Sequence, residues 1–159
     1  GIAGAHLELE LVIDPREARE VGLKVRCSPD GEEETAVWWD RDRKALRVDM
    51  SRSTLREDVT YGSPPFTSYG LQRAEDNANP LTSFEAPFGL PEGEPLRLRV
   101  FLDGPLMEVF ANDRQCVTQV VYPKRDDSLG IRLCVRGGAA QVETLRAWEM
   151  APLKFEDRR

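Results

Sequence analysis

Apolar and polar residues alternate along most of this chain, and the last third does so almost without a break. The segments are Leu-Arg-Leu-Arg-Val-Phe-Leu-Asp at 96–103, Met-Glu-Val-Phe-Ala-Asn-Asp-Arg at 107–114, and Gln-Cys-Val-Thr-Gln-Val-Val-Tyr-Pro at 115–123. Ser-Leu-Gly-Ile-Arg-Leu-Cys-Val at 128–135 and Ala-Gln-Val-Glu-Thr-Leu-Arg-Ala-Trp-Glu-Met at 140–150 follow. A period of two puts one face of each segment toward a core and the other toward water, which predicts strands. Earlier strands are expected at 6–13, 21–28, 35–40, 45–51 and 83–88.

Turn chemistry separates them. Asp14-Pro15 ends the first, and a helical turn is expected over 15–20. Pro29-Asp30-Gly31 closes the second, and Arg41 to Lys44 joins a hairpin. Asn112-Asp113 and Gly137-Gly138 tolerate positive φ and are expected as tight turns between consecutive strands. About ten short strands without a long amphipathic helix predict an all-β antiparallel two-sheet β-sandwich of the concanavalin/laminin-G-like jelly-roll kind, with a barrel as the alternative. Residues 52–80 break the rhythm, holding Gly62, Pro64, Pro65, Gly70 and Pro80 among Tyr61, Phe66 and Tyr69. So much irregular chain marks a functional or docking segment, or a lid on the sandwich. Val59, Tyr61, Phe66, Tyr69 and Leu71 are the apolar side chains it offers to a partner.

The chain has 159 residues, which suits one domain with a sizeable core. The expected layout is a linker or expression remnant at 1–3, a module at 4–152 and a tail at 153–159. The abrupt start, almost at a strand, is what a fragment cut from a longer protein would show. A net charge of −6 argues against a nucleic-acid partner, which needs a clustered basic surface. No apolar run reaches membrane-spanning length, so no membrane partner is expected. No leader is visible, so cytoplasmic and secreted locations both stay open. The three cysteines, Cys27, Cys116 and Cys134, lie in apolar strands without Cys-x-x-Cys spacing. Buried free thiols are expected, with a single disulfide as the alternative.

Candidate chemistry is sparse. His6 is the single histidine, which excludes metal sites built from several, and there is no phosphate-binding glycine loop. No metal or cofactor is expected. Acids such as Glu8 and Glu10 alternate with leucines and read as solvated strand positions. Trp38 and Trp39 are the most informative pair. Neighbours on a strand face opposite ways, so one is expected in the core and the other partly exposed. The exposed one either packs under a loop or another domain, or stacks on a sugar ring. Tyr61, Phe66 and Tyr69 carry the same two readings, and Trp148 is expected in the core.

The series Gly4-Ala5-His6-Leu7-Glu8-Leu9-Glu10, Gly22-Leu23-Lys24-Val25-Arg26, Val48-Asp49-Met50-Ser51-Arg52-Ser53 and Leu98-Arg99-Val100-Phe101-Leu102-Asp103 before Met107-Glu108-Val109-Phe110-Ala111-Asn112 resembles the C-terminal β-sandwich module of family 32 glycoside hydrolases, the invertases, levanases and inulinases. Asp126 to Ile131 and Leu145 to Met150 complete the likeness. Met50 stands where the family has Arg, and Gly104-Pro105 where it has Arg-Ser. The resemblance implies a non-catalytic module, following a five-bladed propeller catalytic domain in the same parent chain. Its implied role is to stabilise that domain, with shaping of its cleft or of a homo-oligomer interface as further roles. A lectin-like module with its own fructan or sucrose-type carbohydrate is the alternative. The catalytic motifs of the family, Asn-Asp-Pro, Arg-Asp-Pro and Glu-Cys, do not occur in the sequence. Asp14-Pro15 follows Ile13, Arg41-Asp42 precedes Arg43, and no cysteine follows Glu. No catalytic residue carries over.

Overall fold

A computed structural model describes residues 1–59, 61 and 82–151. Among them are ten strands and no helix: β1 (His6–Asp14), β2 (Glu20–Cys27), β3 (Glu34–Asp40), β4 (Ala45–Arg52), β5 (Ser83–Pro87), β6 (Leu96–Asp103), β7 (Leu106–Ala111), β8 (Gln115–Val120), β9 (Gly130–Arg136) and β10 (Gln141–Glu149). They form two five-stranded antiparallel sheets, ordered β10-β1-β6-β7-β8 and β5-β4-β3-β2-β9. The expected β-sandwich is therefore what the alternating pattern builds. Leu7, Leu9, Leu11 and Ile13 on β1, with Leu96, Leu98, Val100 and Leu102 on β6, are buried. They join Val21, Leu23 and Val25 of β2 and Val37 and Trp39 of β3 in one core. Their polar neighbours point the other way, as a period of two requires.

Local chemistry sets the strand ends. Asp40 Oδ1 accepts from the N–H groups of Asp42 and Arg43, both at 3.0 Å, which turns β3 into β4. Asn112 and Asp113 take φ of 48° and 53° and close the β7–β8 hairpin as expected. Asn112 Oδ1 also accepts from Arg97 N–H at 2.8 Å, fixing that turn to β6. Residues 15–20 form no helical turn. Arg16 sits at φ 41°, and Ala18 N–H donates to Pro15 O at 2.8 Å in a tight turn.

Gly137-Gly138 is not a hairpin turn. It joins β9 to β10, and those strands lie in different sheets. The glycines are required because segment 17–19 passes against them: a Cβ on Gly138 would lie 2.5 Å from Glu17 O, and one on Gly137 would lie 2.8 Å from Arg19 Cβ. A second local departure lies in β2, where the register shifts between Lys24 and Cys27 and Arg26 takes φ 51°. This bulge re-aims the Arg26 side chain toward the other sheet. Its guanidinium donates to the carbonyls of Ala5 and Gly104 and ties the sheets together at one end.

Candidate functional site

Trp38 and Trp39 point to opposite faces of β3, yet both are buried, at 2% and 3% exposure. The expectation that one would be partly exposed is overturned. Trp39 faces the core opposite Val21 and Leu46. Its Nε1–H donates to Phe88 O at 3.1 Å, and the Arg41 guanidinium lies 5.3 Å from the ring centroid. Trp38 faces outward opposite Gly22 and Arg47. Gly22 presents no side chain, so the indole can lie close to the sheet. The Arg136 guanidinium then covers it, 4.3 Å from the ring centroid. The outer face is thus roofed by long basic side chains whose stems cover apolar surface. Trp38 Nε1–H has no hydrogen-bond partner among the described residues.

The charges over this face are paired. Glu20 accepts from Arg47 at 2.7 Å and from Arg136 at 3.3 Å. Glu34 accepts from Lys24 at 2.8 Å and also from Arg52. Arg43 joins Glu85 at 2.5 Å and Asp40 at 3.7 Å. Between them runs an open groove of about 620 Å³ lined by Glu20, Asp40, Arg43, Arg47, Glu85 and Arg136, with a smaller hollow of about 140 Å³ over Trp38. Such a surface offers fixed donors and acceptors to a hydroxyl-rich or charged ligand. No group of three or more metal-ligating side chains lies together among the described residues.

Glycoside hydrolysis also needs a carboxyl held protonated, hence a raised pKa. Among the described residues, the carboxyls with resolved shifts all move the other way. The Ser28 hydroxyl, the Glu32 N–H and Arg125 hold Asp30 far below the usual range. Arg125 lowers Asp127, and Arg56 lowers Asp58. Burial would raise Glu33, but its hydrogen bonds from Ser128 and three backbone N–H groups overcome that and lower it. Glu33 is fully buried and was given no role by its sequence context. It accepts from Leu55 N–H at 2.8 Å, Lys124 N–H at 2.7 Å, Arg125 N–H at 3.1 Å and Ser128 Oγ at 2.6 Å. It knots three loops rather than facing a cleft.

The other singled-out residues scatter. Tyr61 is buried in the core, and its hydroxyl accepts from Tyr122 N–H at 3.1 Å. Val59 packs against the same core. Tyr61 is thus covered within this chain, while Val59 stays half-buried. Phe66, Tyr69, Leu71 and the expected tail at 153–159 lie outside the described residues. Trp148 is 45% exposed, not core. The three thiols are free, as expected, but only Cys27 is buried; Cys134 is half-buried and Cys116 exposed.

The whole chain can now be set beside known proteins. The family model described as glycosyl hydrolases family 32 C terminal matches residues 2–149. The chain belongs to this family. It is 31% identical over 143 residues to a levanase of Bacillus subtilis, a match covering 87% of this chain and 18% of that enzyme. It is 25% identical over 150 residues to a sucrose-6-phosphate hydrolase of Zymomonas mobilis, covering 90% and 24%. The chain thus spans about a fifth to a quarter of the length of the curated relatives it matches. Among solved structures, the fructan 1-exohydrolase IIa of Cichorium intybus shares the fold at a TM-score of 0.70 and 20% identity, over 98% of this chain and 33% of that one. A carbohydrate binding module of Bacillus subtilis, CBM66, shares it at 0.60 and 13% identity, over 94% and 78%. The resemblance read from the strand motifs is thereby confirmed for the family and the fold.

Proposed function

We propose that this family 32 C-terminal domain is the non-catalytic module of a β-fructosidase-like glycoside hydrolase, and that it stabilises the catalytic propeller preceding it. One observation carries the reading. The match to the C-terminal family model fills residues 2–149, while the three acidic motifs of the catalytic part are absent from the sequence. The lowered carboxyl pKa values agree with it. The parent would act on the O-glycosyl bonds of fructosides, by analogy with its levanase and sucrose-6-phosphate hydrolase relatives. The test is hydrolysis of sucrose, inulin and levan by the 159-residue chain and by the full-length parent. Activity in the parent and none in the chain supports the proposal. Sugar release by the chain that survives repurification, and is lost on replacing one of its acids, sinks it.

A second reading is a lectin-like sugar site on the outer face of β3. The observation favouring it is the Trp38 Nε1–H, without a hydrogen-bond partner among the described residues, at a small hollow lined by charged side chains. With its ring buried, Trp38 would act through the polar side chains above it and not as a stacking platform. Calorimetric titration with fructo-oligosaccharides tests it. Micromolar affinity that Arg136→Ala abolishes, with the fold intact, would favour this reading over the first.

A further inference from the structure

Five charged side chains are buried among the described residues: Glu20, Arg26, Glu33, Glu34 and Asp40. The four acids are each answered. Arg47 and Arg136 pair with Glu20, and Lys24 and Arg52 with Glu34. Arg43 and two N–H groups hold Asp40, and Ser128 with three N–H groups holds Glu33. Arg26 is the one cation of the set, 4% exposed, and no described carboxylate pairs with it. Its Nη2 donates to the carbonyls of Ala5 and Gly104, while its Nε–H is buried without a hydrogen-bond partner among the described residues. Two carbonyls supply dipoles but no opposite charge. Burial accordingly pulls the Arg26 pKa down with no acid to oppose it. A charge taken out of water is normally paired, because its desolvation is costly until an opposite charge answers it. A tie between two sheets needs no ion, since a glutamine amide would also supply donors.

Room for an opposite charge lies beside it. Arg26 lines an open pocket of about 300 Å³, together with Arg56, Tyr122, Arg125 and Asp126. That volume is at the small end of ligand sites. Arg125 is turned to Asp30, Glu32 and Asp127, so its charge is already answered. Arg56 stands exposed at the rim, where Asp58 accepts from it at 3.0 and 2.7 Å. Asp126 is the single acid among the described lining residues, and it too is exposed. Tyr122, 44% exposed, adds an aromatic ring with a hydroxyl. A guanidinium presents a planar fork of donors that fits an oxyanion. The remaining space, with Asp126 and Tyr122 beside it, suits hydroxyl groups attached to that anion. We propose that this pocket binds a small oxyanion, free or carried on a sugar, with Arg26 as its counter-charge.

Calorimetric titration of the 159-residue chain with inorganic phosphate, glucose 6-phosphate and glucose tests it, at one ionic strength set with chloride. Phosphate should bind with a dissociation constant below about 1 mM, and glucose should not bind. In nuclear magnetic resonance spectra the Arg26 Nε–H signal should move on binding, together with the amides of Gly104 and Tyr122. Glucose 6-phosphate that binds at least about tenfold more tightly than phosphate assigns the site to a sugar phosphate; equal or weaker binding assigns it to the free oxyanion. Arg26→Met should abolish binding. That change also removes the bonds to Ala5 and Gly104, so Arg56→Gln at the exposed rim is the second variant. It should keep the melting temperature and weaken phosphate binding at least about threefold. No phosphate binding up to about 10 mM overturns the proposal. Binding that a folded Arg26→Met protein retains also overturns it; should that variant not fold, unchanged affinity in Arg56→Gln does so. Glucose that binds as tightly as glucose 6-phosphate overturns it as well, since no charge would then be read. Resonance changes confined to Lys24, Arg52 and Arg136 would place the ion on the outer face of β3 and overturn it too.

Discussion

Glu33 Oε2 accepts a 2.6 Å hydrogen bond from the hydroxyl of Ser128, 95 residues further along, and both residues are buried. The other bonds to Glu33 come from the backbone of Leu55, Lys124 and Arg125. One carboxylate thereby holds the chain after β4 and the loop between β8 and β9 to the turn after β2.

Removing that carboxylate leaves buried donors without an acceptor. Glu33→Gln should destabilise the fold by about 2–4 kcal/mol, the range for breaking a buried charged network. The folded pKa lies below the ordinary 4.5, so the contribution is fully present above pH 4.5 and is lost as pH falls through the folded value. Chemical denaturation from pH 7 to pH 3 should show the gap between wild type and variant narrowing below that point. A gap independent of pH would count against the network.

Gly138 has φ of 144° and no room for a Cβ, whereas Gly93 has φ of 77° and open space around it. Gly138→Ala should cost about 2–4 kcal/mol, and Gly93→Ala only about 1 kcal/mol, the usual cost of a left-handed residue with a side chain. Denaturation midpoints compare them. Equal losses would mean that the pass of 17–19 against the glycines relaxes freely.

The thiols should differ in reactivity, since the thiolate is the nucleophile. Burial raises the Cys27 thiol and pushes that of Cys134 up to about 12, while Cys116 is exposed. At pH 8 a disulfide reagent should label one thiol quickly and two slowly. Cys116→Ser should remove the fast phase. A fast phase surviving that change would place the exposed thiol elsewhere.

Of the three tryptophans, only Trp148 is exposed. Acrylamide should quench one component of the fluorescence of the 159-residue chain, and Trp148→Phe should remove it.

Much of the fold was legible in the residues. The leucines at 7, 9 and 11, and those at 96, 98 and 102, face the core because alternation leaves a strand no other way to bury them. The Asn112-Asp113 turn was legible for the same local reason. Gly137-Gly138 was misread, because positive φ marks a sharp reversal without saying which sheet receives the next strand. Trp38 was misread because its cover, Arg136 on β9, lies 98 residues away in sequence. Glu33 carried no signal, for its four donors come from two distant segments.

By itself the sequence determined the strand-rich class, most of the turns between neighbours and the family, all of which rest on local alternation and short motifs. Tertiary structure decided which strands became edges, which outward face was roofed by arginines, and which acid was buried. These depend on what lies opposite across a sheet or between sheets, and a residue carries no local mark of the distant neighbour that will cover it. Val21 and Val135 look alike as strand valines; the first is core because β2 has strands on both sides, and the second is exposed because β9 has only one among the described residues.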